Sequence, residues 1–145
     1  MDNKKIPLLI ITGPTATGKT KLSIDIAKKI NGEIVSADSM QIYKHMDIGT
    51  AKPSIEEMQG IKHYLIDEIE PYEKFNTAVF KEKATNYIQE IYKKNKLPIL
   101  VGGTGLYISS LTDNIDYGSI PENPSLRKSL LKEQKKKVMK SFIMN

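Results

Sequence analysis

The sequence predicts an α/β fold, a parallel sheet flanked by helices. Two observations predict it. Apolar runs of strand length alternate along the chain with segments whose apolar residues recur at helical spacing. One of those strand-to-helix junctions also carries Gly-Pro-Thr-Ala-Thr-Gly-Lys-Thr, a fit to G-x-x-x-x-G-K-[ST] in the setting that motif requires.

The elements follow in order. Residues 8–12, Leu-Leu-Ile-Ile-Thr, read as a buried central strand. Residues 19–30 read as a helix with Leu22, Ile26, Ala27 and Ile30 on its apolar face, stopped by Gly32. Residues 33–36 form a second strand. A short helix spans residues 54–61, with Ser54 and Glu57 as a capping box. Residues 63–66 form a third strand. Asn76 caps a long helix whose face is Phe80, Ala84, Tyr87, Ile88 and Ile91. Residues 97–101 are a further buried strand, with Pro98 near its start. Gly102-Gly103-Thr104-Gly105 then leads into a helix through Leu111. Residues 112–123 are turn-rich. Asn123 caps a last helix with Pro124 at its first position; Leu126, Leu130 and Leu131 open it before it decays into Lys-Glu-Gln-Lys-Lys-Lys.

Composition is that of an ordinary globular protein, 39% hydrophobic and 27% charged over 145 residues, one domain by size. There is no cysteine, hence no disulfide framework and no thiolate metal site. No apolar stretch is long enough for a signal peptide core or a membrane span, so no membrane association and a cytoplasmic setting are expected. The net charge of +5 is local. Residues 127–140 hold seven basic groups and one acid, Glu133, and the rest of the chain balances to −1. Charge alone reads equally as a nucleic-acid contact or a solvated lysine-rich helix face.

Candidate chemistry gathers at three loops that leave the carboxyl ends of strands, where ligands sit in open parallel sheets. In the glycine-containing loop, Gly13 and Gly18 allow a tight turn and close ligand approach. Loop amides and the positive end of the helix receive phosphate, Lys19 reaches an outer phosphate, and the Thr20 hydroxyl is placed for Mg2+. Asp38 follows the second strand and is the best general-base candidate; its alternative is a turn or cap. Thr104 offers a hydroxyl between glycines, its alternative being a plain strand-to-helix turn. No acid ends the strand at Val101, where an ATP-hydrolysing site places one; Asp67 is a weak substitute. His45 and His63 lack metal-ligand spacing and read as surface or packing residues.

In combination these blocks resemble a known family. Gly13–Thr20, Ser-Ala-Asp-Ser-Met-Gln-Ile-Tyr from Ser36, Met-Asp-Ile-Gly-Thr-Ala-Lys-Pro from Met46, His-Tyr-Leu-Ile-Asp from His63 and Leu-Pro-Ile-Leu-Val-Gly-Gly-Thr-Gly-Leu-Tyr from Leu97 occur in order. They look like the N-terminal half of bacterial tRNA dimethylallyltransferase, also called tRNA isopentenyltransferase. The resemblance implies a P-loop NTPase-like sheet, incomplete at the C-terminal side, over residues 1–120. It makes residues 121–145 the start of a helical tRNA-binding region with a divergent basic tail, the family pattern being left after about Leu131. The implied reaction moves a dimethylallyl group from dimethylallyl diphosphate to N6 of adenosine 37, in tRNAs reading codons that begin with U. By the match, Gly13, Pro14, Thr15, Ala16, Thr17, Gly18, Lys19 and Thr20 bind the diphosphate, and Thr20 holds Mg2+. Asp38 takes the N6 proton, and Thr104 joins it in the catalytic pair. Asp38, Ser39, Met40, Gln41, Thr104 and Arg127 contact the tRNA, whose target base leaves its stack. The alternatives are an adenylate isopentenyltransferase or small-molecule P-loop kinase, and a non-catalytic fragment that binds diphosphate or RNA.

Overall fold

A computed structural model describes residues 5–113 and 123–143, with the side chains of the last helix described through Lys135. It falls into two units, Met1–Ile115 and Asp116–Asn145. The turn-rich reading of residues 112–123 lies largely outside the described residues.

The first unit is built on a four-stranded, all-parallel sheet in the order β1-β4-β2-β3, from β1 Leu9–Thr12, β2 Gly32–Ser36, β3 His63–Tyr64 and β4 Leu97–Gly102. Its helices are α1 Lys19–Ile30, α2 Ile55–Met58, α3 Thr77–Lys93 and α4 Gly105–Thr112. Alternation along β2 and β4 makes two cores. Ile34 and Ile99 face α1 and meet Ile24 and Ala27. Val35 and Leu100 point to the other face and join Phe80, Ala84, Ile88 and Ile91 of α3. The expected α/β sheet with helices on both faces is what forms.

Four local expectations need correction. β1 is an edge strand among the described residues, paired only with β4, and its residues are half-buried or exposed. β4 takes the central place, between β1 and β2. On α1, Leu22 and Ile30 are 52% and 40% exposed, and the buried face is Ser23, Ile24 and Ala27. Small residues there let the helix lie close to the sheet. The helix ends on Asn31 in the left-handed region (φ 53°), not on Gly32. Gly32 belongs to β2, where a Cβ would come within 2.7 Å of Ile99 Cδ1. β3 stops at Tyr64 because Leu65 and Asp67 have left-handed φ values of 61° and 54°.

The capping expectations hold. Ser54 and Glu57 form a reciprocal box on α2, and Asn76 Oδ1 accepts from Val79 N (3.0 Å) at the start of α3. In the second unit, α5 (Pro124–Ile143) starts on Asn123, whose Oδ1 accepts from Leu126 N at 3.0 Å, and its backbone stays helical through the lysine-rich run.

Candidate active site

The three loops do converge. β1, β4 and β2 are adjacent, so the loops after Thr12, Gly102 and Ser36 leave the same edge of the sheet. A cavity of about 560 Å³ opens there. Thr15 to Thr20 line one side, Asp38 and Gln41 another, and Thr50 to Pro53 a third, with Gly102 and Gly103 between them.

The glycine-containing loop is shaped for an anion. Ala16 and Gly18 take left-handed φ values of 63° and 83°, which folds the backbone into a concavity. Thr17 Oγ1 donates to Pro14 O at 2.8 Å and Lys19 Nζ donates to the same oxygen at 2.5 Å, so the lysine lies folded back along its own loop. α1 has no acid in its first turn and no side-chain cap, leaving its positive end uncompensated. Gly13 and Pro14 make the base of the loop without lining the cavity.

Asp38 is half-buried at the end of β2. Its Oδ1 accepts from Met40 N (2.9 Å) and Gln41 N (3.3 Å), whereas Oδ2 accepts nothing from the described residues. The turn-capping role and the free oxygen therefore coexist in one carboxylate. Thr104 is absent from the cavity lining; instead its Oγ1 accepts from Ser39 N at 3.2 Å, and its N–H donates to Ala37 O at 3.2 Å. Gly102 permits that approach, because a Cβ there would sit 2.3 Å from Ala37 O. Thr104 thus anchors the Asp38 loop.

Gln41 has its side chain saturated. Oε1 accepts from Ser36 Oγ (3.0 Å), and Nε2 donates to Thr50 O (3.2 Å) and Ala51 O (3.1 Å). Ser39 is half-buried and Met40 is 46% exposed. Arg127 lies in the first turn of α5, in the second unit. Asp67 is held by Lys52 at 2.5 Å rather than presented to a metal.

Three further residues stand near the site: His63, which the sequence places as a surface or packing residue, and Tyr107 and Lys52, which it gives no role. Tyr107 stacks on Phe80 (4.2 Å, 9°), and its hydroxyl is pushed above the usual range by burial, then by the charges of Tyr43 and Asp38. His63 lines the cavity; its Nδ1 donates to Ile61 O at 2.9 Å, and burial lowers its pKa, so it is neutral at pH 7. Lys52 lines it too, with a side chain only 5% exposed. The last was signalled only by its place in the Met46–Pro53 block.

A family model described as IPP transferase matches residues 41–144. The chain belongs to the IPP transferase family. It is 61% identical over 137 residues to the tRNA dimethylallyltransferase of Acetivibrio thermocellus, covering 94% of this chain and 42% of that protein. With the same enzyme of Clostridioides difficile it shares 56% over 130 residues, 90% of this chain and 42% of the relative. Among solved structures it resembles the tRNA isopentenylpyrophosphate transferase of Bacillus halodurans, with a TM-score of 0.78 and 49% identity over 87% of this chain and 42% of that one. A eukaryotic dimethylallyltransferase acting on tRNA gives 0.74 and 37%, over 88% and 31%. The chain thus spans less than half the length of these relatives. The IPP transferase sheet is the P-loop NTPase-like arrangement described above.

The oxygen donors of the cavity fit Mg2+. Mg2+ keeps several waters and binds through one or two protein oxygens plus phosphate. Thr20 brings its hydroxyl oxygen to the cavity that the phosphate loop lines, and no group of three or more metal-binding side chains is present among the described residues.

Proposed function

We propose that this chain carries the diphosphate-binding and proton-accepting part of a tRNA dimethylallyltransferase. The observation that carries the reading is that the phosphate loop and Asp38 line one cavity. A diphosphate ester and the nucleophile that displaces it must meet in such a space.

The substrates are dimethylallyl diphosphate and a tRNA anticodon stem-loop bearing adenosine 37, in tRNAs that read codons beginning with U. The loop of residues 13–20 cradles the diphosphate, with the backbone N–H groups of Thr15 to Thr20 as its donors and Gly13 and Pro14 as its base, and Lys19 swings from Pro14 O to the outer phosphate. The Thr20 hydroxyl would hold Mg2+, which would supply charge neutralisation for the departing diphosphate. The adenine N6 attacks the allylic carbon. The N–C bond forms, the C–O bond breaks with its electron pair leaving on diphosphate, and the N6 proton passes to the free oxygen of Asp38. The flipped base and neighbouring RNA meet Asp38, Ser39 and Met40. Gln41 serves through the loop rather than through the base, since its side-chain amide is already engaged, whereas Thr104 accepts from Ser39 N and keeps its hydroxyl proton for a contact with the tRNA. Arg127, in the second unit, contacts the tRNA. The compartment is the cytoplasm.

Incubation with labelled dimethylallyl diphosphate and three acceptors tests this reading. Label in the stem-loop, but not in AMP or in a stem-loop with guanosine at position 37, is expected. Label in AMP alone would replace it with an adenylate isopentenyltransferase.

A further inference from the structure

The block Met46–Pro53 has no part in the chemistry above, yet it forms one wall of the cavity through Thr50, Ala51, Lys52 and Pro53. Lys52 explains it. An ammonium has three donors and no acceptor. Lys52 Nζ spends them on Tyr43 O at 2.9 Å, Asp47 Oδ1 at 2.7 Å and Asp67 Oδ1 at 2.5 Å. Its stem is almost fully buried, while the two aspartates are 68% and 48% exposed. One side chain therefore closes residues 43–52 into a loop and ties that loop to the turn after β3.

The backbone it restrains is unfavourable without it. His45, Ala51, Leu65 and Asp67 all have left-handed φ values, from 49° to 63°, without being glycine. Such residues persist where surrounding contacts over-determine them.

The clip leads to Asp38 through Gln41. Asp67 N donates to Gln41 O at 3.1 Å, and Gln41 Nε2 donates to the carbonyls of Thr50 and Ala51, next to Lys52. Gln41 N in turn donates to Asp38 Oδ1. The clipped loop and the turn after β3 thus both hold the residue that holds the carboxylate.

We propose that Lys52 is a positioning residue for Asp38. It fixes the cavity wall formed by Thr50 to Pro53 and, through Gln41, sets where the carboxylate meets the acceptor. For the transfer reaction this rests on the reading above; the structural coupling does not.

The test compares Lys52→Met and Lys52→Arg with the unmodified chain by amide hydrogen exchange and by transfer kinetics. Lys52→Met is expected to speed exchange at the Met40 and Gln41 amides about 10-fold or more, without changing residues 13–20. Displacing a reacting group by an ångström costs about 100-fold in rate, so kcat is expected to fall on that scale. KM for dimethylallyl diphosphate stays unchanged, and Lys52→Arg recovers part of the loss. Asp67→Asn added to Lys52→Met changes nothing further, because both break one clip. Unchanged exchange at Met40 and Gln41 overturns the proposal. So does a uniform rise in exchange with kcat per folded molecule unaltered, which marks Lys52 as a general stabiliser. If the unmodified chain transfers nothing but the local exchange response appears, the clip stands and the transferase reading falls.

Discussion

Replacing Gly102 by alanine places a Cβ 2.3 Å from Ala37 O, 2.5 Å from Ala37 C and 2.9 Å from Ala37 Cα. All three are backbone atoms, so no side chain can rotate away. Separation by about 0.7 Å is needed merely to reach the 3.0 Å limit of real contacts. That movement stretches two bonds that hold the Asp38 loop to β4 and to the turn after it, Ala37 N to Val101 O (2.7 Å) and Thr104 N to Ala37 O (3.2 Å). Overpacking of this kind costs about 1–3 kcal/mol, and each weakened bond adds up to about 1 kcal/mol. The expected loss is therefore roughly 2–4 kcal/mol, read by urea unfolding at fixed protein concentration. Two neighbours serve as controls. At Gly103 the new Cβ meets only Gly13 O at 3.2 Å, and at Gly105, the first residue of α4, it meets nothing within 4 Å. Gly103→Ala is expected to cost less, and Gly105→Ala to stabilise by about 0.4–1 kcal/mol. A Gly102→Ala chain within about 0.5 kcal/mol of the unmodified one would refute the claim that this close approach positions Asp38.

Three further outcomes are expected. Glu33, 6% exposed at its side chain, is driven up by burial but held below its usual 4.5 by hydrogen bonds from Lys96 and Tyr64, the latter's hydroxyl itself pushed up to about 12. A depressed carboxylate contributes stability that is present above pH 4.5 and lost as pH falls through the folded value, so Glu33→Gln flattens the acid limb of a stability-against-pH curve. Lys19→Met removes a charge-assisted phosphate bond, and calorimetric titration with Mg2+ and inorganic pyrophosphate is expected to show about 10- to 100-fold weaker binding with an unchanged melt. β1 offers a strand edge with no partner among the described residues, so the melting temperature is expected to rise with protein concentration as chains associate; a sharp, concentration-independent melt of a monomer contradicts this.

Motifs that impose local geometry could be read directly. The glycine-containing loop, the start of α1 and the caps at Ser54, Asn76 and Asn123 are fixed by residues within a few positions of one another. So was the face of α3, where Phe80, Ala84, Ile88 and Ile91 are all buried. What depended on partners distant in sequence could not be read. β1 looks central by composition, and only the pairing of β4 with both β1 and β2 makes it an edge. Helical spacing of apolar residues places Ala27 on the buried face of α1 correctly, whereas close packing on the sheet buries Ser23 and Ile24 in place of Leu22 and Ile30. In the site, Asp38 was legible because it directly follows a strand. The structural work of Gln41 and Lys52 was not, because their partners become neighbours only through left-handed turns at Ala51, Leu65 and Asp67.

Transfer of labelled dimethylallyl to an anticodon stem-loop with adenosine 37, compared between the unmodified chain, Asp38→Ala and Asp38→Asn, tests whether Asp38 is the proton acceptor. Transfer by the unmodified chain and a loss of about 100-fold or more in both variants are expected, with pyrophosphate binding intact, since the carboxylate removes a proton and does not hold the phosphate. Equal transfer by all three chains contradicts that role.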